Sequence, residues 1–332
     1  MATKKQNAAP AAATNTPSAS AENYRILSID GGGLRGIIPL AILESLDNEQ
    51  PGWRKDINMY AGTSTGGLIA LALAKGMSPR EIMDVYLSTG ASIFDRSLWH
   101  EVKEIVEVIG PKYASENRLK VTHDLLENAR LKDYLSDNGT KGHVLIAAFD
   151  LDDKVQPQKN LRRWKPKLFH NMPTRDDSDD GGEIAYRVAM RTSAAPTYFS
   201  SFDGMVDGGV FSNNPSMCAV AQTQDARNVM SIPLSSVRML SLGTGFAPYC
   251  IDGEENWGLA QWAPKLVDVL TDGVLGVADY QTRQIIGEKN YARLSPLMSE
   301  PIAMDDTSQM GVMQRIGNAV DVAPALNLIR RW

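Results

Sequence analysis

The chain has 332 residues, 43% hydrophobic and 22% charged, a globular balance that excludes a wholly disordered protein. Lys and Arg total 34 against 39 Asp and Glu, so at a net charge of −5 no global basic field exists to hold a nucleic-acid backbone. Cys218 and Cys250 are the two cysteines, without metal-ligand spacing, and no apolar run reaches the length of about 18 residues needed to cross a bilayer.

Residues 1–22 are rich in Ala, Thr, Ser and Pro, and no leucine-rich stretch follows Lys4 and Lys5. That composition predicts a disordered tail rather than a secretory signal, and a cytoplasmic or membrane-peripheral location. Tyr24 to Asp30 alternates and reads as a strand. After the glycine-rich Gly31 to Gly36, Ile38, Ile42 and Leu46 recur every four residues and predict a helix with one buried stripe. A second strand ends near Gly62, and a helix from Gly66 to Lys75 stops at Gly76. Pro79 opens another helix.

Residues 97–135 are helical and charged, an expected insertion. His143 to Phe149 is a continuous apolar run, the pattern of a strand buried on both faces. An Asp-rich loop covers 171–183, and Glu183 to Ala195 is helical up to Pro196. Gly204 to Asp207 and Val237 to Leu242 are further strands, and beyond Trp257 the pattern is mostly helical to the end. Alternating strands and helices predict an α/β fold with a mainly parallel central sheet sandwiched by helices. One domain is expected over 23–332, with a core at about 24–245 and a C-terminal helical extension at about 256–332.

Three glycine-marked turns carry the chemistry. Gly31 to Gly36 fits G-x-G-x-x-G, but no acidic residue ends the next strand to hold a ribose, and Asp56 falls at its start. What survives is a set of backbone N–H groups able to meet one anion. Gly62-Thr-Ser64-Thr-Gly66 is a G-x-S-x-G between a strand and a helix, which can present a serine hydroxyl at a sharp elbow; as a bland alternative it only caps the helix. A nucleophilic serine needs a base. The four histidines, His100, His123, His143 and His170, all precede residue 171. A Ser64–Asp150–His170 triad is conceivable but leaves half the chain unexplained. Asp207-Gly208-Gly209 offers a carboxylate at a strand end instead; alone, Asp-Gly is usually a turn.

Asp30-Gly-Gly-Gly-Leu-Arg-Gly36, Gly62-Thr-Ser-Thr-Gly66 and Asp207-Gly-Gly209, in that order, resemble the signatures of the patatin-like phospholipases. Arg191-Thr-Ser-Ala-Ala-Pro196 resembles the stretch that precedes their catalytic aspartate, and a helical segment through Asn290 to Leu294 is similar to bacterial members. The resemblance implies a lipid acyl hydrolase acting on phospholipids or other acyl lipids at a membrane or micelle surface. It implies Ser64 as nucleophile, Asp207 as base and the Gly31, Gly32 and Gly33 backbone as oxyanion hole. Arg35, Gly36, Gly62, Gly66, Gly208 and Gly209 are supporting motif positions, and neither metal nor organic cofactor is required. Asp207 is expected to be desolvated, since an ordinary carboxylate is a feeble base toward a hydroxyl.

Two rivals stand beside this reading: a non-catalytic lipid- or partner-binding module on the same fold, and a nucleotide-binding oxidoreductase. Asp176 to Gly181 is similar to a calcium loop, but Arg187 stands where the bidentate Glu belongs. Trp257 and Trp262 are expected to pack into the core rather than meet lipid.

Overall fold

Apolar residues that alternate along the strands divide between two cores, one on each face of a seven-stranded sheet. The computed structural model describes residues 22–93, 115–248 and 257–332. The expected tail, apart from Glu22, lies outside them, as do His100, Cys250 and residues 97–114 of the expected insertion.

The strands are β1 (Tyr24–Ile29), β2 (Met59–Thr63), β3 (His143–Asp150), β4 (Lys165–His170), β5 (Met205–Asp207), β6 (Val237–Leu242) and β7 (Tyr291–Leu294). They run in the order β4-β3-β2-β1-β6-β7, with β5 paired to β3. β1, β2, β3, β6 and β7 are parallel, whereas β4 and β5 are antiparallel to β3. On one face Leu27, Ile29, Val144, Ile146, Leu240 and Leu242 enter the larger core. On the other, Ile26, Met59, Leu145, Val237 and Met239 enter the smaller one. That is the period-two alternation of a strand, with apolar residues in both registers because helices cover both faces.

The helices are α1 (Ile37–Glu49), α2 (Thr65–Ala74), α3 (Pro79–Ile93), α4 (Glu116–Leu126), α5 (Ala185–Thr192), α6 (Gly209–Ser212), α7 (Ser216–Thr223), α8 (Leu259–Ile286), α9 (Met310–Asn318) and α10 (Ala323–Ile329). Among the described residues no helix is long and apolar enough to cross a membrane.

Three expectations are corrected. α1 buries more than a stripe: Ile37 to Leu43 are all buried, because α3 and α9 also pack on it. Tyr291–Leu294 is not helical but a strand, whose backbone groups are satisfied by pairing with β6 from Met239↔Tyr291 to Leu242↔Leu294. Trp262 is not in the core; it is 41% exposed on α8 and meets the edge of Trp257 at 5.4 Å. It shares the solvent face of α8 with Leu266, Leu270, Val277 and Tyr280, because the opposite side of the helix, at Thr271, lines an internal cleft.

β1 connects outward to β2, and its other neighbour β6 connects outward to β7, so the connections of these two adjacent strands leave in opposite directions. Such a switch point opens a crevice beyond the carboxyl ends of the strands. Both the glycine loop after β1 and the Ser64 turn after β2 lie there.

Candidate active site

The β2–α2 turn is a strained elbow. Ser64 has φ 55° and ψ −124°, a conformation that costs a non-glycine residue of order 1–3 kcal/mol. The turn closes because its flanking residues are glycines: a Cβ on Gly66 would stand 2.2 Å from the Ile29 carbonyl oxygen. Thr192 on α5 accepts the Ser64 N–H at 2.8 Å and donates its own hydroxyl proton to the Ala147 carbonyl, tying the elbow to β3.

Asp207 reaches Ser64 through the sheet. β2 ends with Thr63 opposite Ala147, and the next position of β3, Ala148, is opposite Asp207. The chain of β5 therefore takes over the edge of β3 where β2 turns away. The Asp207 carboxylate accepts a hydrogen bond from the Gly209 N–H at 2.7 Å and lies close enough to the Ser64 side chain for that hydroxyl to lower its pKa. Burial pushes its pKa up to about 6, against the lowering effects of Ser64, Gly209 and the Arg118 charge.

The glycine loop passes beside Ser64. Gly31 lies so close that a Cβ there would be 3.3 Å from the Ser64 Cβ. Its N–H, however, donates to the Asn213 carbonyl at 2.9 Å, which corrects the expectation that it could face an oxyanion. Among the described residues the Gly32 and Gly33 N–H groups have no acceptor. Gly33 has φ +58°, and a Cβ there would strike the Met304 carbonyl oxygen. Arg35, half-buried in the 3₁₀ turn Gly33–Gly36, does not line the cavity. Gly36 packs against Thr65, Gly62 against Gly66, and Gly208 against the Ala147 carbonyl.

Ser64, Asp207, Gly32 and Gly33 open into one cleft with about 1070 Å³ of atom-free space, its mouth included. Leu68, Val85, Tyr86, Leu125 and Phe199 give it apolar walls suited to an acyl chain. Among the described residues no histidine lines it. His143 is a core residue, bonded to the Tyr24 hydroxyl at 2.6 Å and the Gly139 carbonyl at 2.9 Å, and burial lowers its pKa to about 4. His170 lies opposite Leu145 and Asp150 opposite Lys165, so the two stand about 17 Å apart along β3 at ~3.4 Å per residue. The conceivable triad cannot assemble. The place a ribose-binding acid would take, at the end of β2, is held by Thr63.

Two buried side chains that frame the site escaped the sequence. Arg118 on α4 is buried in the cleft wall, and Arg293 on β7 is paired with Asp30. The stretch 191–196 proves to be scaffold for the site: Thr192 holds the elbow, Ser193 accepts from Arg118, and the Ala194 carbonyl accepts the Asp207 N–H at 3.0 Å.

A model of the patatin-like phospholipase domain matches residues 27–220. The chain belongs to the patatin-like phospholipase family. That makes it a lipid hydrolase by family. Patatin-like protein 3 of Arabidopsis thaliana is 30% identical over 81% of this chain and 73% of its own length. The putative sporulation hydrolase CotR of Bacillus subtilis is 31% identical over 71% of this chain and 68% of its own. The crystal structure of VipD from Legionella pneumophila aligns with 93% of this chain and 67% of VipD, at 11% identity and a TM-score of 0.42.

Proposed function

We propose that this patatin-like protein hydrolyses carboxylic esters of phospholipids or other acyl lipids through a Ser64–Asp207 dyad. The observation that carries the reading is the placement of the Ser64 side chain beside a buried Asp207 in an apolar cleft that, among the described residues, no imidazole lines.

Asp207 takes the hydroxyl proton as the Ser64 oxygen attacks the acyl carbonyl. With a pKa of about 6 the carboxylate is still mostly ionised at neutral pH, yet is a stronger base than a solvated aspartate. Charge then develops on the carbonyl oxygen. The Gly32 and Gly33 amides and the N-terminus of α2 are the donors supporting its stabilisation there, Gly31 being engaged elsewhere. Asp207 returns the proton to the departing alcohol, leaving an acyl-serine. Water, deprotonated in turn by Asp207, releases the fatty acid. The substrate is presented at a membrane or micelle surface, and the apolar residues on the outer side of α8 suit a peripheral approach.

The reading is tested by labelling. A fluorophosphonate probe should modify the wild type at Ser64, and Ser64→Ala should lose both label and esterase turnover while remaining folded. A fully active Ser64→Ala protein would refute the dyad.

A further inference from the structure

The charged side chains lining the cleft, among the described residues, are Asp207 and Arg118. Arg118 belongs to the buried side of α4 with Thr122, Leu125 and Leu126, and is only 3% exposed. Its guanidinium lies 4.3 Å over the Phe199 ring. Nη1 is anchored, donating to the Ser193 carbonyl and, at 3.4 Å, to Ser193 Oγ. Nε and Nη2 are buried and have no acceptor among the described residues.

That unused edge is specific. Nε–H and the adjacent Nη2–H point the same way and match two oxygens of one phosphate or carboxylate. Burial lowers the Arg118 pKa to about 10, so the group is still a cation at neutral pH. Asp207 is near enough to feel its charge, but its carboxylate is already engaged by the Gly209 N–H. A buried cation with two unsatisfied donors is costly unless an anion arrives to meet them.

We propose that the Nε/Nη2 edge of Arg118 is an anion-recognition subsite, taking the phosphodiester of a glycerophospholipid whose acyl carbonyl lies over Ser64. This rests on the hydrolase reading above. The anion is not the carboxylate of the released fatty acid, because that group occupies the place of the ester carbonyl, beside Ser64. A second oxyanion only a few bonds away on the same molecule is the phosphodiester. Seating it requires the residues packed around that edge to part, since Nε and Nη2 are closed to water.

The test compares dihexanoylphosphatidylcholine with dihexanoylglycerol, both below their micellar concentrations, using the wild type, Arg118→Met and Arg118→Lys. The ratio of kcat/KM for phospholipid over diacylglycerol should fall about ten- to a hundredfold in Arg118→Met, chiefly through KM. Arg118→Lys should restore part of it and serves if the methionine protein does not fold. The thermal midpoint of Arg118→Met should be no lower than that of wild type, because an unpaired buried charge is removed. Equal losses on both substrates, or an unchanged ratio, overturn the subsite. A wild type inactive on both lipids overturns the hydrolase reading, and the subsite with it.

Discussion

Arg293 on β7 grips both carboxylate oxygens of Asp30, at 2.5 and 3.3 Å, and so fixes the residue that leads into the glycine loop. A third bond, to Ser241 Oγ at 2.7 Å, orients the guanidinium on β6. Thr244 Oγ1 donates to the Gly31 carbonyl at 2.7 Å, and Leu34 donates to the Met304 carbonyl at 2.8 Å. The loop beside Ser64 is thus held largely by the last third of the chain, beyond the residues that match the family model.

Asp30 is fully buried, and burial raises its pKa even beside Arg293. Arg293→Met leaves that carboxylate without its partner, a change that typically costs about 3–5 kcal/mol. Urea denaturation should show a loss of this order, and Asp30→Asn in the same background should recover most of it. A loss below about 1 kcal/mol would mean that the pair does not hold the loop.

Where the sequence was legible and where it was not follows from what each residue's signal depends on. β3 is buried on both faces, so its apolar run announces it, while β1 shows itself by alternation and branched residues. β4 reads as KPKLFH, partly exposed and antiparallel, and its polar half hides the strand. β7 has four residues and exists only because β6 offers an edge. Ser64 and Asp207 were visible in local turn chemistry. The loss of the Gly31 amide to Asn213 was not, because that bond joins segments far apart in the chain. Arg118 left a trace: it falls at i, with Thr122 at i+4 and Leu125 at i+7, so a charge sits on the buried stripe of a helix.

Histidine should be dispensable for chemistry. His170→Gln is expected to leave kcat/KM within a few fold, because its ring is outside the cleft and far from Asp150 along β3. Removing a general base costs about 10²–10⁴-fold, so the outcomes separate cleanly. A loss of that size in a folded variant contradicts the placement.

Asp207 carries a stability signature as well. Its folded pKa, about 6, lies above the ordinary value of 3.8, so the native state binds the proton more tightly than the unfolded state does. By linkage its contribution is fully present below about pH 4 and is lost as pH rises through about 6. Asp207→Asn, which mimics the protonated form, should therefore raise the thermal midpoint above wild type at pH 7. The gap should close as pH falls toward 4. An equal midpoint at pH 7 would show that the carboxylate is not held at a cost.

The most direct test of the dyad is the rate of that same variant. Asp207→Asn keeps the shape of the turn and a hydrogen bond to Ser64, but it cannot take the proton. On a short-chain nitrophenyl ester kcat/KM should fall by roughly 10²–10⁴-fold, while the wild-type profile loses activity below about pH 6 as the carboxylate protonates. A folded Asp207→Asn protein that turns over the ester at the wild-type rate would contradict the account.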